Sequence, residues 1–245
     1  MRAMILAAGL GTRLRPLTDS RPKALVEING RTLLEIALMR LRNFGIREVI
    51  VNAHHFADMI DEYLRSHDFG MRVEISREDE LLDTGGGLKK AAHFFLEDQS
   101  AEPFLLHNVD VISSIDLARM VASHSKSHAL ATLAVQQRET SRQLLFDDRL
   151  QLCGRQSGSD EPKLVRAAQP VQALAFCGIH VISPEIFPLM TEEGAFAIID
   201  SYLRLAAQGH KIGGFRADEY YWRDVGKPES VSQAAAELTR RVPLA

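Results

Sequence analysis

Gly9 and Gly11 follow directly on an apolar run, Ala3 to Ala8, and are themselves followed by Arg13, Arg15 and Lys23. Glycines placed just after a strand let backbone N–H groups approach an anion with no side chain in the way. The three cations add full charges close by, and a polyphosphate needs both a backbone cradle and charged donors. Pro16 and Pro22 stiffen the segment and so preset the cations. The string has neither the G-x-x-x-x-G-K-[ST] of a P-loop nor the third glycine of a dinucleotide fingerprint. Taken alone, Gly9 and Gly11 read equally as a turn between strand and helix with exposed basic residues.

Three further segments carry chemistry. His107-Asn108-Val109-Asp110 closes a predicted strand, and a carboxylate there can hold Mg²⁺, which prefers oxygen ligands and substrate phosphates; in isolation Asp110 equally caps the next element. Asp224, in Tyr220 to Ser230, precedes Gly226 and Pro228 in a turn that can project it towards Asp110. Leu81 to Ala91 contains three glycines, Gly85, Gly86 and Gly87, opening a predicted helix, which allows a flat or anionic group close to backbone N–H groups. Asn52 can hydrogen-bond a base or ribose or satisfy turn backbone, His54 and His55 serve equally as helix-entry residues, and Trp222 reads as core or pocket wall. Asp200 either faces substrate or caps its helix.

These residues must be positioned by the elements around them. Thr32 to Asn43 has the apolar spacing of an amphipathic helix, ended by Gly45. Strands are predicted at Ala3–Ala8, Glu48–Asn52, Met71–Ser76, Pro103–Asn108 and Ala129–Gln136, with helices at Ala57–Ser66, Gly87–Phe95 and Ile115–Ser127 between them. This alternation predicts an α/β fold with a doubly wound, mostly parallel sheet. Gly9, Asn52, Arg77 and Asp110 then fall at the carboxyl ends of strands, where such sheets collect functional groups. Beyond Gln137 the pattern is less regular: a hairpin arm at Phe146–Leu152, an exposed mobile loop at Gln156–Pro162, strands at Ala173–Ile182, Lys211–Phe215 and Tyr220–Asp224, and helices at Ile198–Gln208 and Glu229–Arg240. No repeat or linker divides the chain, so a single domain over residues 1–245 is expected, its regular half at 1–135 and its less regular half at 136–245.

Composition bounds the class. A hydrophobic fraction of 46%, a charged fraction of 25% and a net charge of −3 fit a water-soluble enzyme and argue against a dedicated nucleic-acid binder. No apolar run approaches the roughly 18 residues of a membrane helix, and the N-terminal run leads straight into the glycine loop, so it reads as a strand rather than a signal peptide. Cys153 and Cys177 have no metal-type spacing and are expected as reduced thiols of a cytoplasmic protein.

The full string Leu6 to Leu25 resembles the signature of sugar-1-phosphate nucleotidyltransferases, G-x-G-[ST]-R-x-x-P-x-T followed by P-K. Asp110 matches the aspartate of that family's N-G-D motif, with Val109 in place of glycine, and Asp224 matches the second metal-binding aspartate of its W-x-D-V-G segment. The Asp83-Thr84-Gly85-Gly86-Gly87 loop and the lack of a V-E-K-P motif near Gly154 to Ala168 resemble the short class that includes N-acetylmuramate-1-phosphate uridylyltransferases. The resemblance implies a Rossmann-like fold, with a nucleotide-binding half (1–135) and a sugar-binding half (136–245), and Mg²⁺-dependent attack of a sugar 1-phosphate on the α-phosphorus of a nucleoside triphosphate. It implies nucleotide contacts at Ala7, Ala8, Gly9, Gly11, Thr12, Arg13, Lys23, Asn52, Thr84, Gly85 and Asn108, and sugar contacts at Asp83, Gly86, Gly178 and Asp200. Arg13 is assigned to the β- and γ-phosphates, Lys23 to the α-phosphate, and Asp110 and Asp224 to Mg²⁺. Partners are the two substrates alone, with no nucleic acid and no membrane, in a monomer or small homo-oligomer. Alternatives left open are a mannose- or heptose-1-phosphate guanylyltransferase, a glucose-1-phosphate enzyme, and a non-catalytic nucleotide-sugar-binding regulator.

Overall fold

A computed structural model of the chain describes residues 1–98 and 100–241, with side chains described up to Glu237. The N-terminal half contributes β1 (Ala3–Leu6), β2 (Glu27–Ile28), β3 (Arg31–Thr32), α1 (Leu33–Phe44), β4 (Glu48–Ala53), α2 (Ala57–Ser66), β5 (Arg72–Arg77), α3 (Asp83–Lys90), α4 (Ala92–Leu96), β6 (Phe104–Asn108), β7 (Val111–Ser113), α5 (Leu117–Ser127) and β8 (Ala131–Gln136). The rest forms β9 (Arg142–Phe146), β10 (Leu152–Ser157), β11 (Lys163–Leu164), β12 (Gln172–Ile182), α6 (Ile198–Ala207), β13 (Ile212–Arg216), β14 (Trp222–Asp224) and α7 (Pro228–Arg241).

The expected parallel sheet is present as β6-β1-β4-β5, all parallel, with β1 between β6 and β4. Its inner strands β1, β4 and β6 are mostly apolar on both faces because helices cover both, whereas the edge strand β5 alternates with charged residues. Successive residues of β1 accordingly enter different cores: Ala3 and Ile5 pack with α1 and its neighbours, whereas Met4 joins Phe94, Phe104 and Tyr202 on the opposite side. Each such fully buried side chain contributes roughly 1.5–3 kcal/mol. Helix α1 starts where the Thr32 hydroxyl accepts from the Glu35 N–H (3.0 Å) and stops at Gly45, whose φ of 104° suits glycine.

Beyond β6 the sheet is mixed. β12 lies antiparallel to β6 and forks: Ile179 to Ile182 pair with β6 on one edge, while on the other β12 pairs with β8 and, through Gln172 to Leu174, with β9. β12 reverses direction because it follows the antiparallel meander β9-β10-β11 with no helical crossover to turn it back. The fork opens at Gly178, between register shifts at Phe176 and His180, with φ +71°.

Two local expectations change. The helix foreseen at Gly87–Phe95 begins at Asp83 and breaks at Ala91 into α3 and α4, and its glycines are packed rather than standing in a loop, Gly85 and Gly86 against Phe196 and Gly194 and Gly87 against Glu78 and Asn52. Phe146–Leu152 is a turn rather than an arm: the Asp147 carboxylate accepts from the N–H groups of Arg149 (3.0 Å) and Gln151 (2.8 Å). Among the described residues, no helix is long and apolar enough to cross a membrane.

Candidate active site

The register of the parallel strands places Leu6 between Asn52 on β4 and Asn108 on β6. The segments leaving these carboxyl ends therefore converge on a cleft of about 480 Å³ lined by Ala7, Ala8, Gly9, Lys23, Asn52, Leu81, Asp83, Thr84, Asn108 and Asp110, closed by Ala195.

The glycine loop is built by two different demands. A Cβ on Gly9 would meet nothing within 4 Å, so this glycine keeps the cleft floor open. Gly11 has φ +67°, and a Cβ there would lie 2.9 Å from Thr18 Cγ2 and 3.3 Å from Lys23 Cβ. Its carbonyl accepts from Leu14 N (2.9 Å) and from the Thr18 hydroxyl (2.8 Å), closing the turn that starts at Thr12 and carries Arg13. Thr12 and Arg13 are exposed and stand outside the first cleft.

Lys23 and Asp110 form an ion pair, both largely withdrawn from solvent. Asp224 is brought beside them by the short ladder β7–β14, which sets Asp224 opposite Val111, and by the bond from Val225 N to the Asp110 carbonyl (2.8 Å). Burial, and then the charge of Asp110, hold the Asp224 carboxyl above its ordinary range, with Lys23 and Arg13 opposing them. A Cβ on Gly226 would lie 3.0 Å from Arg13 Nη2, so that glycine makes room for Arg13 near Asp224. A buried carboxyl whose ionisation is opposed by a neighbouring carboxylate suits a divalent cation, and Mg²⁺ is commonly held by one or two carboxylates plus substrate phosphates.

A second cavity, of about 910 Å³, adjoins the first: Asn108 lines both. Its walls include Arg13, Gln136, Arg138, Arg142, Gly178, Trp222, Asp224 and Lys227. Asp110 faces the first cavity and Asp224 the second, so the acidic pair stands where the two meet. A Cβ on Gly178 would lie 2.9 Å from Asn108 Nδ2 and from Val111 Cγ2, so the bulge in β12 is what fits against the Asn108 strand end.

Asn52 is buried and its amide is fully engaged: Ala7 N donates to Oδ1 (2.7 Å) and Nδ2 donates to Glu78 Oε1 (2.7 Å). The other Glu78 oxygen accepts from Leu82 N (3.0 Å). Glu78, which sequence reasoning passed over, thus links the glycine loop to the segment entering α3. The one local signal was an acid directly after β5, at the end where functional groups collect. His54 touches the Glu78 carbonyl through Nδ1 (2.9 Å), and His55 lies exposed beside Phe56.

Asp83 and Thr84 reach the cleft, but Gly85 and Gly86 do not. The N–H groups of Gly85 (2.8 Å) and Gly86 (3.3 Å) both point to the Phe196 carbonyl, and a Cβ on either would run into Phe196 or Gly194. The helix start that the sequence offered to an anion is therefore occupied by the chain itself. Asp200 is exposed on α6, outside both cavities, and pairs with Arg155 (2.6 Å). Its expected contact with the sugar is replaced by a tie between α6 and β10, because the first turn of α6 faces the β10 hairpin.

Residues 2–144 match the family model described as Nucleotidyl transferase. The N-acetylmuramate alpha-1-phosphate uridylyltransferase of Caulobacter vibrioides is 34% identical, covering 96% of this chain and 96% of its own. A mannose-1-phosphate guanyltransferase of Yarrowia lipolytica is 28% identical over 94% of this chain, which spans 61% of that enzyme's length. In fold the chain is similar to the UDP-glucose pyrophosphorylase of Acinetobacter baumanii (TM-score 0.79, 19% identity, 99% and 94% of the two chains covered). It is similar also to HddC of Yersinia pseudotuberculosis complexed with GMP-PN (TM-score 0.76, 21% identity, 97% and 99% covered).

Proposed function

Because the chain belongs to the nucleotidyl transferase family and is a sugar-1-phosphate nucleotidyltransferase, we propose that it transfers the uridylyl group of UTP to N-acetylmuramate 1-phosphate in a Mg²⁺-dependent reaction. The observation that carries the geometry is the meeting of two cavities at Asp110 and Asp224. The likeness to the Caulobacter enzyme along nearly the full length of both chains supports the choice of base and sugar.

In this reading the triphosphate occupies the cleft over Gly9 and Gly11, and the sugar 1-phosphate occupies the cavity bounded by Gly178 and Trp222. A phosphate oxygen of the sugar attacks the α-phosphorus in line, a new P–O bond forms, and the bond to the β-phosphate oxygen breaks to release pyrophosphate. The protein's part is positioning and charge neutralisation. Asp110 and Asp224 would hold Mg²⁺, which would supply Lewis-acid neutralisation of phosphate charge. Arg13 steadies the outer phosphates. Lys23 shifts part of its interaction from Asp110 to the α-phosphate as charge redistributes there. Asn52 and Glu78 hold the backbone of the cleft rather than the base. The same reading sets the reaction in the cytoplasm, where nucleoside triphosphates are supplied, as a step in reuse of cell-wall sugars.

Pyrophosphate release measured across UTP, GTP, CTP, ATP and dTTP against several sugar 1-phosphates, with and without Mg²⁺, tests the proposal. UTP with N-acetylmuramate 1-phosphate should give the highest kcat/KM and require the metal. Turnover confined to GTP with mannose 1-phosphate would overturn it in favour of the guanylyl reading.

A further inference from the structure

The sugar-side cavity holds more positive charge than a neutral sugar phosphate can use. Arg13, Arg138, Arg142, Arg223 and Lys227 line it, against the single carboxylate of Asp224. Arg223 is committed to Glu237 (3.0 Å). Among the described residues, no carboxylate lies within 4.0 Å of a charged nitrogen of Arg13, Arg138, Arg142 or Lys227. Arg13 lies beside Asp224 at Gly226 and is taken up by the outer phosphates of the nucleotide, while Lys227 serves the sugar phosphate, which carries up to two charges near neutral pH. Arg138 and Arg142 come from a different wall, the connection between β8 and β9 together with the first residue of β9.

We propose that Arg138 and Arg142 read a second anionic group on the sugar, a carboxylate, and so select an acidic sugar 1-phosphate over its neutral counterpart. The inference rests on the proposed N-acetylmuramate reading, in which the sugar bears a lactyl ether that N-acetylglucosamine lacks. Arginine is suited to this task because its planar fork matches a carboxylate. Arg138 is preorganised: Nη2 donates to the Phe176 carbonyl (2.8 Å), and the guanidinium carbon stands 3.9 Å from the centroid of the Trp222 ring. The ring is itself fixed by its Nε1 donating to the Cys177 carbonyl (2.8 Å). Two arginines without a protein acid, one of them braced against an aromatic wall, form a receptor awaiting an anion. The triphosphate, seated in the cleft lined by Gly9 and Lys23, meets this cavity at Arg13, whereas Arg138 and Arg142 belong to the separate β8–β9 wall.

The test compares N-acetylmuramate 1-phosphate with N-acetylglucosamine 1-phosphate in the intact enzyme and in Arg138→Gln and Arg142→Gln variants, by pyrophosphate release. The ratio of kcat/KM for the acidic over the neutral sugar should fall at least about tenfold in each variant, chiefly through KM. Trp222 is the only tryptophan of the chain. Its fluorescence should therefore respond to N-acetylmuramate 1-phosphate in the parent protein and in Arg142→Gln, and much less in Arg138→Gln, a readout independent of turnover. Variants that keep the preference, or lose both sugars equally, overturn the assignment of these arginines while leaving the N-acetylmuramate reading intact. A parent enzyme with no preference for the acidic sugar overturns that reading and the inference together.

Discussion

Lys23 and Asp110 stand 87 residues apart in the chain and form an ion pair at the mouth of the nucleotide cleft. The lysine neutralises an aspartate in the free protein, and in the proposed reaction it turns in part to a phosphate. Replacing it with alanine should lower kcat on the order of 10²–10³-fold, as loss of a preorganised charge donor does elsewhere. It should also leave Asp110 beside Asp224 with no cation in contact. Urea unfolding should therefore show the Lys23→Ala/Asp110→Asn double variant more stable than Lys23→Ala alone. Equal stability would mean that the pair does not interact.

Asp224 gives the opposite balance between stability and activity. Burial and the neighbouring Asp110 raise its pKa, so the folded protein disfavours the ionised form relative to the unfolded chain. A raised carboxyl contributes stability at low pH that is lost as pH rises through the folded-state value. Asp224→Asn should consequently raise Tm at neutral pH in metal-free buffer while removing most turnover. A lower Tm would contradict the sign of the shift.

Glu78 is predicted to act at a distance from the chemistry. It ties Asn52 to Leu82, and Asn52 ties it onward to Ala7. Glu78→Leu leaves the buried Asn52 amide donor and the part-buried Leu82 N–H without their acceptors, at a cost of about 1–3 kcal/mol for the buried one, and should raise KM for the nucleotide more than it lowers kcat. Glu78→Gln, which keeps one acceptor oxygen, should recover part of that loss. Steady-state kinetics on the two variants separate a positioning role from simple unfolding.

His107 and His180 are buried, and burial pushes each down to about 3, with the charge of Arg40 adding to the effect on His107. Both are neutral in the folded protein, while in the unfolded chain they protonate near the ordinary value of 6.5. The unfolded state therefore takes up more protons as pH falls from 6.5 towards 3, and stability drops by about 1.4 kcal/mol per pH unit for each histidine. Urea midpoints measured across the upper part of that window should show this slope. His124, which burial holds down to about 4, shares that slope, so in His180→Phe it should fall by about a third, whatever the variant's absolute stability.

The sequence carried the parallel half of the fold well, since β1, β4 and β6 are short apolar runs bounded by turn residues and α1 has a visible cap and stop. Asp110 and Asp224 were harder, because the three-residue strands that join them are too short to show a period and their pairing is long-range. Their meeting was readable only through motif likeness. The glycines of α3 show the reverse failure. Three in a row look like room for a ligand, yet the room is filled by Phe196, Gly194 and Glu78, which lie far along the chain or on another strand end. Glu78 was missed for the same reason: its partners, Asn52 and Leu82, are set by the sheet register and not by spacing. The direction of β12 depended on the meander before it, whose strands alternate too weakly to announce a reversal.

The fork in β12 also decides how the protein comes into being. β8 ends at Gln136, yet its partners in the sheet are β12 and β13, both from later in the chain. A ribosome that has released only the first 136 residues has made a strand with two bare edges and a sugar cavity missing Gly178 and Trp222. The sheet closes only when Gln172 to Ile182 slides in between β6 and β8. Such distant pairing is the kind that slows folding. Closure of the sheet and completion of the cavity bounded by Gly178 and Trp222 therefore both wait on chain made after Gln136.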